Sequence, residues 1–99
     1  MEITGKTFLV TGGASGLGLA TAEIITAHGG RVVVIDLNHS YGEAAAASLG
    51  SAARFFQADV ADEKGIAQAI QLAIDTFGGL HGAVLCAGVG PAARILGKE

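Results

Sequence analysis

An apolar, strand-like run, Thr7-Phe8-Leu9-Val10, leads into Thr11-Gly12-Gly13-Ala14-Ser15-Gly16-Leu17-Gly18, and a helix-like run, Leu19-Ala20-Thr21-Ala22-Glu23-Ile24-Ile25, follows at once. No other feature of the chain limits the fold so strongly. A strand that turns through glycines into a helix aims the first helical N–H groups at one spot, where the helix dipole also favours negative charge. Glycine lets the backbone come close to an anion there, because a Cβ would fill the space. The segment therefore reads as a pyrophosphate cradle. Its glycines at 12, 16 and 18 give a T-G-x-x-x-G-x-G spacing, distinct from G-x-G-x-x-G.

The rest of the chain repeats the strand–helix alternation. A helix is expected from Gly16 to about His28, with Leu17, Ala20, Thr21, Ile24 and Ile25 on one face and Gly29-Gly30 ending it. Arg31-Val32-Val33-Val34-Ile35-Asp36 is a continuous β-branched run, the pattern of a strand buried on both faces. Ser40-Tyr41-Gly42-Glu43 fits a capping box before an alanine-rich helix that ends near Gly50. Ala53 to Gln57 reads as a third strand. Asp62 suits the N-cap of a third helix carrying Ile66, Ile70, Ala73, Ile74 and Phe77, which Gly78-Gly79 closes. Gly82 to Cys86 is the fourth strand, and residues 87–99 form a loop. The crossovers are long enough for parallel pairing. Their right-handedness leaves few topologies. The expectation is an α/β fold, the β-α-β-α-β-α-β part of a Rossmann-type doubly wound parallel sheet, with strand order 3-2-1-4 and a ligand crevice at the carboxyl ends of the strands.

Composition agrees with one domain at most: 99 residues, 51% hydrophobic and 15% charged, without a repeat or linker. No apolar run reaches the roughly 18 residues needed to span a bilayer. No basic-then-apolar leader opens the chain. One cysteine, Cys86, excludes an internal disulfide and suits a reducing, cytoplasmic setting. A net charge of −3 without a basic block argues against a nucleic-acid partner. His28, His39 and His81 have no ligand-like spacing and read as surface residues, so no metal site is expected.

Four positions should meet at the crevice. The glycine turn, through Gly12, Ser15, Gly16, Leu17 and Gly18, would hold the pyrophosphate. Asp36, followed by Leu37, ends the second strand, where a carboxylate can accept both hydroxyls of an adenosine ribose and repel a 2′-phosphate. No Arg or Lys flanks it, which favours NAD over NADP. Asp59-Val60 follows the third strand, where the acid can reach the adenine amino group and the valine can pack on the ring. Cys86-Ala87-Gly88 follows the fourth, where small residues let a cofactor ribose approach. Each has a plainer reading. Asp36 and Asp59 can cap turns or helices, Ala87-Gly88 can be an ordinary turn, Ser15 can bond its own turn, and Cys86 can be a small core residue.

Taken together, the glycine spacing, Asp36, Asp59-Val60 and Cys86-Ala87-Gly88 resemble the short-chain dehydrogenase/reductase family. Residues 11–23, Gly42-Glu43-Ala44 and Ala58-Asp59-Val60 resemble its type II 3-hydroxyacyl-CoA dehydrogenase branch in particular. The resemblance implies an NAD-dependent oxidoreductase acting on a secondary alcohol or ketone, such as a 3-hydroxyacyl thioester or hydroxysteroid, and a homo-oligomer. The family often carries asparagines where this chain has Leu85 and Cys86, so packing is expected to brace the sheet there instead. The family's catalytic Ser, Tyr and Lys are missing. The only tyrosine is Tyr41, and the fourth residue after it is Ala45, not lysine. No residue of this chain is therefore expected to be catalytic. The family continues to about seven strands. Residues 1–99 are thus expected to be the NAD-binding N-terminal portion of one domain, with the fourth strand an apolar free edge. The alternative is a stand-alone NAD-binding or structural module without turnover.

Overall fold

The β-branched run at 31–36 becomes a central strand with Val32, Val33, Val34 and Ile35 all buried, which requires cover on both faces. The structure, a computed structural model, describes residues 2–12, 14 and 16–86. In chain order the elements are β1 (Thr7–Thr11), α1 (Gly16–Ala27), β2 (Arg31–Asp36), α2 (His39–Leu49), β3 (Ala53–Gln57), α3 (Glu63–Phe77) and β4 (Gly82–Leu85), with a 3-10 turn at Gly50–Ala52. The four strands are parallel and lie in the order β3-β2-β1-β4. Both the expected class and the expected order are found.

Side chains alternate across the sheet and feed two cores. Phe8, Val10, Val32 and Val34 meet Ala22 and Ile25 of α1 on one face. Leu9, Val33 and Ile35 meet Ala69 and Ala73 of α3 on the other. Helices on opposite faces follow from right-handed crossovers whose direction reverses between β3 and β4.

Three local expectations are corrected. In α1 the buried residues are Gly18, Ala22 and Ile25, whereas Leu17 is 70% exposed and Ile24 58% exposed. Small residues at i and i+4, Gly18 and Ala22, let the helix lie close to the sheet, with Ile25 one turn on in the core, so Leu17 and Ile24 beside them face outward. In α2 the N-cap is Asn38, not Ser40. Asn38 Oδ1 accepts the Tyr41 amide at 2.8 Å, starting the helix at His39. Glu43 instead approaches His39 Nε2 at 3.8 Å. In α3 Ile74 lies largely outside the core that Ala69 and Ala73 enter. The caps of α3 are as expected, Asp62 accepting the Lys64 amide and Gly78 adopting the left-handed conformation.

Packing of α2 on β3 depends on Gly42, where a Cβ would enter the Phe55 ring. Near the N-terminal end of β1, Thr7 and His81 bond twice. The Thr7 amide donates to His81 Nδ1 at 3.0 Å, and the His81 amide donates to the Thr7 carbonyl at 2.8 Å. His81 is exposed, as expected, yet it also fixes where β4 begins. Among the described residues β4 pairs with β1 alone. Ala83 and Leu85 lie in register with Leu9 and Thr11, on the α3 side, and both are exposed because α3 packs over β1 and β2. No described helix is long and apolar enough to cross a membrane.

Candidate functional site

Parallel strands bring Thr11-Gly12, Asp36-Leu37, Asp59-Val60 and Cys86 to one edge of the sheet, at the strand carboxyl ends. Gly12 is required there twice over. Its φ is +65°, and a Cβ would strike the Cys86 carbonyl. Its amide donates to the Ile35 carbonyl at 2.7 Å, so the turn is held between β2 and the end of β4. Gly16 opens α1 at φ +56°, and among the described residues a Cβ added to it would meet nothing within 4 Å. No described atom therefore fills that side of the helix N-terminus, where helices accept anions. Gly18 is buried on the sheet-facing side of α1, where its lack of a side chain lets the helix pack closely on the sheet. Leu17 is exposed on the first turn of the same helix.

Asp36 is the best connected of the expected site residues. Its Oδ2 accepts the Ala14 amide at 3.2 Å, and its Oδ1 accepts the Asn38 amide at 3.0 Å. The carboxylate is half-buried and spans the glycine turn and the start of α2. Gln57 Nε2 donates to the Leu37 carbonyl at 3.0 Å, which fixes the chain just beyond Asp36. Asp59 Oδ1 accepts the Ala61 amide at 2.9 Å, so the turn-capping reading of Asp59 holds. Leu37 and Val60 are exposed apolar residues just past β2 and β3, which are neighbours in the sheet. Cys86 is a free thiol in the buried core, against which Val84 also packs. Ser15, Ala87 and Gly88 lie outside the described residues.

Charge is distributed unevenly over this edge. The first turn of α1 carries no acidic residue of its own. The negative charges of this edge are Asp36, bonded to the Ala14 amide just before the helix, and Asp59 beyond β3. Such an edge offers an anion site at the helix start, a hydroxyl acceptor at Asp36, and apolar cover for a flat ring near Leu37 and Val60. Among the described residues no group of three or more His, Cys, Asp or Glu is placed to hold a metal ion. An open cleft of about 570 Å³ lies elsewhere, between the last turns of α1 and α2, lined by Glu23, Thr26, Ala27 and residues 48–52.

Several contacts of the site have no signature in the sequence. Cys86 donates its amide to Thr11 Oγ1 at 3.0 Å, and Thr11 Oγ1 donates to the Val84 carbonyl at 3.5 Å. Packing is therefore joined by a hydroxyl brace where asparagines were missed. The Ala14–Asp36 bond and the Gly12–Cys86 approach likewise join residues at or just beyond the ends of different strands. A threonine just before the first glycine was the one available hint.

Comparison with known proteins agrees with this architecture. The family model described as short chain dehydrogenase matches residues 6–97. The chain is 46% identical over 93 residues to the 3-hydroxyacyl-CoA dehydrogenase type-2 of Bos taurus, covering 94% of this chain and 36% of that one. The Homo sapiens protein of the same name gives the same identity and coverage. This chain is 43% identical over 82 residues to the 2,5-dichloro-2,5-cyclohexadiene-1,4-diol dehydrogenase of Sphingobium indicum, covering 83% of this chain and 33% of that one. The chain thus spans about a third of the length of these relatives. From its sheet order, its glycine turn and these matches, the chain belongs to the short chain dehydrogenase family.

Proposed function

We propose that this chain is the NAD-binding part of an oxidoreductase acting on a secondary alcohol or its ketone. The observation that carries the reading is Asp36 bonded to the glycine turn, beside the Gly16 flank that no described atom fills. Gly12, Ser15, Gly16 and Leu17 would hold the pyrophosphate at the start of α1. Asp36 would accept the hydroxyls of the adenosine ribose, and its charge would disfavour a 2′-phosphate. Asp59 and Val60, with Leu37, would surround the adenine. Cys86, Ala87 and Gly88 would line the approach of the second ribose. NAD, once bound, would accept the hydride that leaves the carbon bearing the hydroxyl. This chain's contribution is to bind and orient it. The names of the relatives point to a 3-hydroxyacyl thioester or a cyclic diol as the substrate class.

The 99-residue chain by itself is proposed to bind cofactor without turnover, because its sole tyrosine is Tyr41 and Ala45 stands where the paired lysine would be. That same observation favours a second reading, a non-catalytic NAD-binding module. Calorimetric titration of the chain with NAD tests the binding, with saturable binding expected. Absorbance of NADH is then followed with 3-hydroxybutyryl-CoA and with simple secondary alcohols. Steady NADH formation by chain of verified mass would overturn the no-turnover reading. Absence of saturable NAD binding would overturn the cofactor reading. A longer polypeptide that contains these residues and oxidises an alcohol would exclude the non-catalytic module.

A further inference from the structure

We propose that Asp36 is a positioning residue for the glycine turn, holding the phosphate cradle in shape before any ligand arrives. The inference goes beyond a contact with ribose hydroxyls, and it rests on the cofactor reading only for what the cradle receives. The two oxygens of Asp36 accept amides on opposite flanks, Ala14 in the turn after β1 and Asn38 at the cap of α2. Ala14 is buried with Val10 and Val34 in the core beneath α1, so its N–H has little access to water and needs a protein acceptor. The Gly12 amide is likewise tied to the Ile35 carbonyl. Two successive residues of β2, Ile35 and Asp36, therefore anchor Gly12 and Ala14. An ionised carboxylate offers roughly four acceptor positions, so each oxygen of Asp36 can serve its amide and still accept a ligand hydroxyl.

Electrostatics alone predicts the opposite behaviour, which makes the idea easy to test. A carboxylate beside a phosphate cradle repels the phosphate, so removing it should tighten anion binding. Loss of a positioning bond should loosen it.

The test uses the whole 99-residue chain and inorganic pyrophosphate, which has no ribose for Asp36 to bind. In the ligand-free wild type, the Ala14 amide should exchange slowly with solvent by NMR. In Asp36→Ala it should exchange about tenfold faster or more, the size expected when a buried amide loses its partner. Asp36→Asn keeps the side-chain shape and one acceptor oxygen, so it should restore part of the protection. Pyrophosphate should bind roughly five- to tenfold more weakly to Asp36→Ala, with Asp36→Asn between, because the lost bond outweighs the lost repulsion. Unchanged Ala14 exchange in both variants, or tighter pyrophosphate binding to both, would overturn the proposal. If Asp36→Ala also loosens the sheet, read from the Val33 amide, the Asn variant decides the matter. A wild-type chain that fails to bind NAD, while the Ala14 amide still responds to Asp36, would sink the cofactor reading and leave the positioning role standing.

Discussion

The Cys86 amide donates to Thr11 Oγ1 at 3.0 Å, joining residues 75 positions apart. The same amide lies 3.3 Å from the Thr11 carbonyl, and the hydroxyl donates a hydrogen bond to the Val84 carbonyl at 3.5 Å. One buried side chain thus stitches the end of β1 to the end of β4, directly beside the Gly12 turn. The brace matters because β4 has no other strand neighbour among the described residues.

Thr11→Val should therefore cost about 1 kcal/mol, the net worth of a typical buried hydrogen bond. Urea unfolding monitored by circular dichroism would measure it, and Thr11→Ser should recover most of the loss. An unchanged midpoint for the valine variant would show that packing alone holds β4.

The other end of β1 should respond with the opposite sign. Thr7 is fully buried, and its hydroxyl has no hydrogen-bond partner among the described residues. Thr7→Val keeps the branched shape and removes the unpaired group, so a gain of about 1 kcal/mol is expected. A rise in thermal midpoint would confirm it, and a fall would show that the hydroxyl is satisfied.

At the contact of α2 with β3, Gly42→Ala should destabilise the chain by roughly 2 kcal/mol, because the new methyl enters the space of the Phe55 ring. Phe55→Leu in the same chain should return part of that loss. A double-mutant cycle of denaturation midpoints reads the coupling, and additive effects would place the two residues apart.

Recognition of the cofactor should divide at Asp36. Asp36→Ala should weaken NAD binding by about 2 kcal/mol, from charge-assisted bonds lost at the ribose and looser anchoring of the turn. NADP should lose less, because the repulsion of its 2′-phosphate disappears in the same step. Paired calorimetric titrations compare the two, and an equal loss for both would refute the ribose role.

Much of this was legible in the residues. β2 was readable because four consecutive buried aliphatic residues, Val32 to Ile35, demand cover on both faces. Gly12 and Gly16 were readable because glycines between a strand and a helix mark a close backbone approach, and the structure adds that both have positive φ. Asp62 and Gly78 were readable as caps, since both act within a few residues of their own position. The wrong face of α1 and the displaced cap of α2 have a common cause. Hydrophobic periodicity counts apolar side chains along one segment. It does not count how closely a helix can approach a sheet, which Gly18 and Ala22 set. Ser40 and Asn38 are both good caps, and only the path of the chain leaving β2 chose between them.

The sequence by itself determined the alternation of strands and helices, the strand order and the turn that opens α1. Each follows from local conformational preference and from the handedness of short crossovers. Tertiary structure alone decided that Thr11 meets Cys86, that Gly12 lies against the Cys86 carbonyl, and that Asp36 holds the Ala14 amide. These contacts join separate strands, and their existence depends on register and backbone separation to within an ångström or so. Residue types restrict such distances only weakly, because a threonine hydroxyl or an aspartate oxygen can satisfy many neighbours. The packed sheet selects one of them.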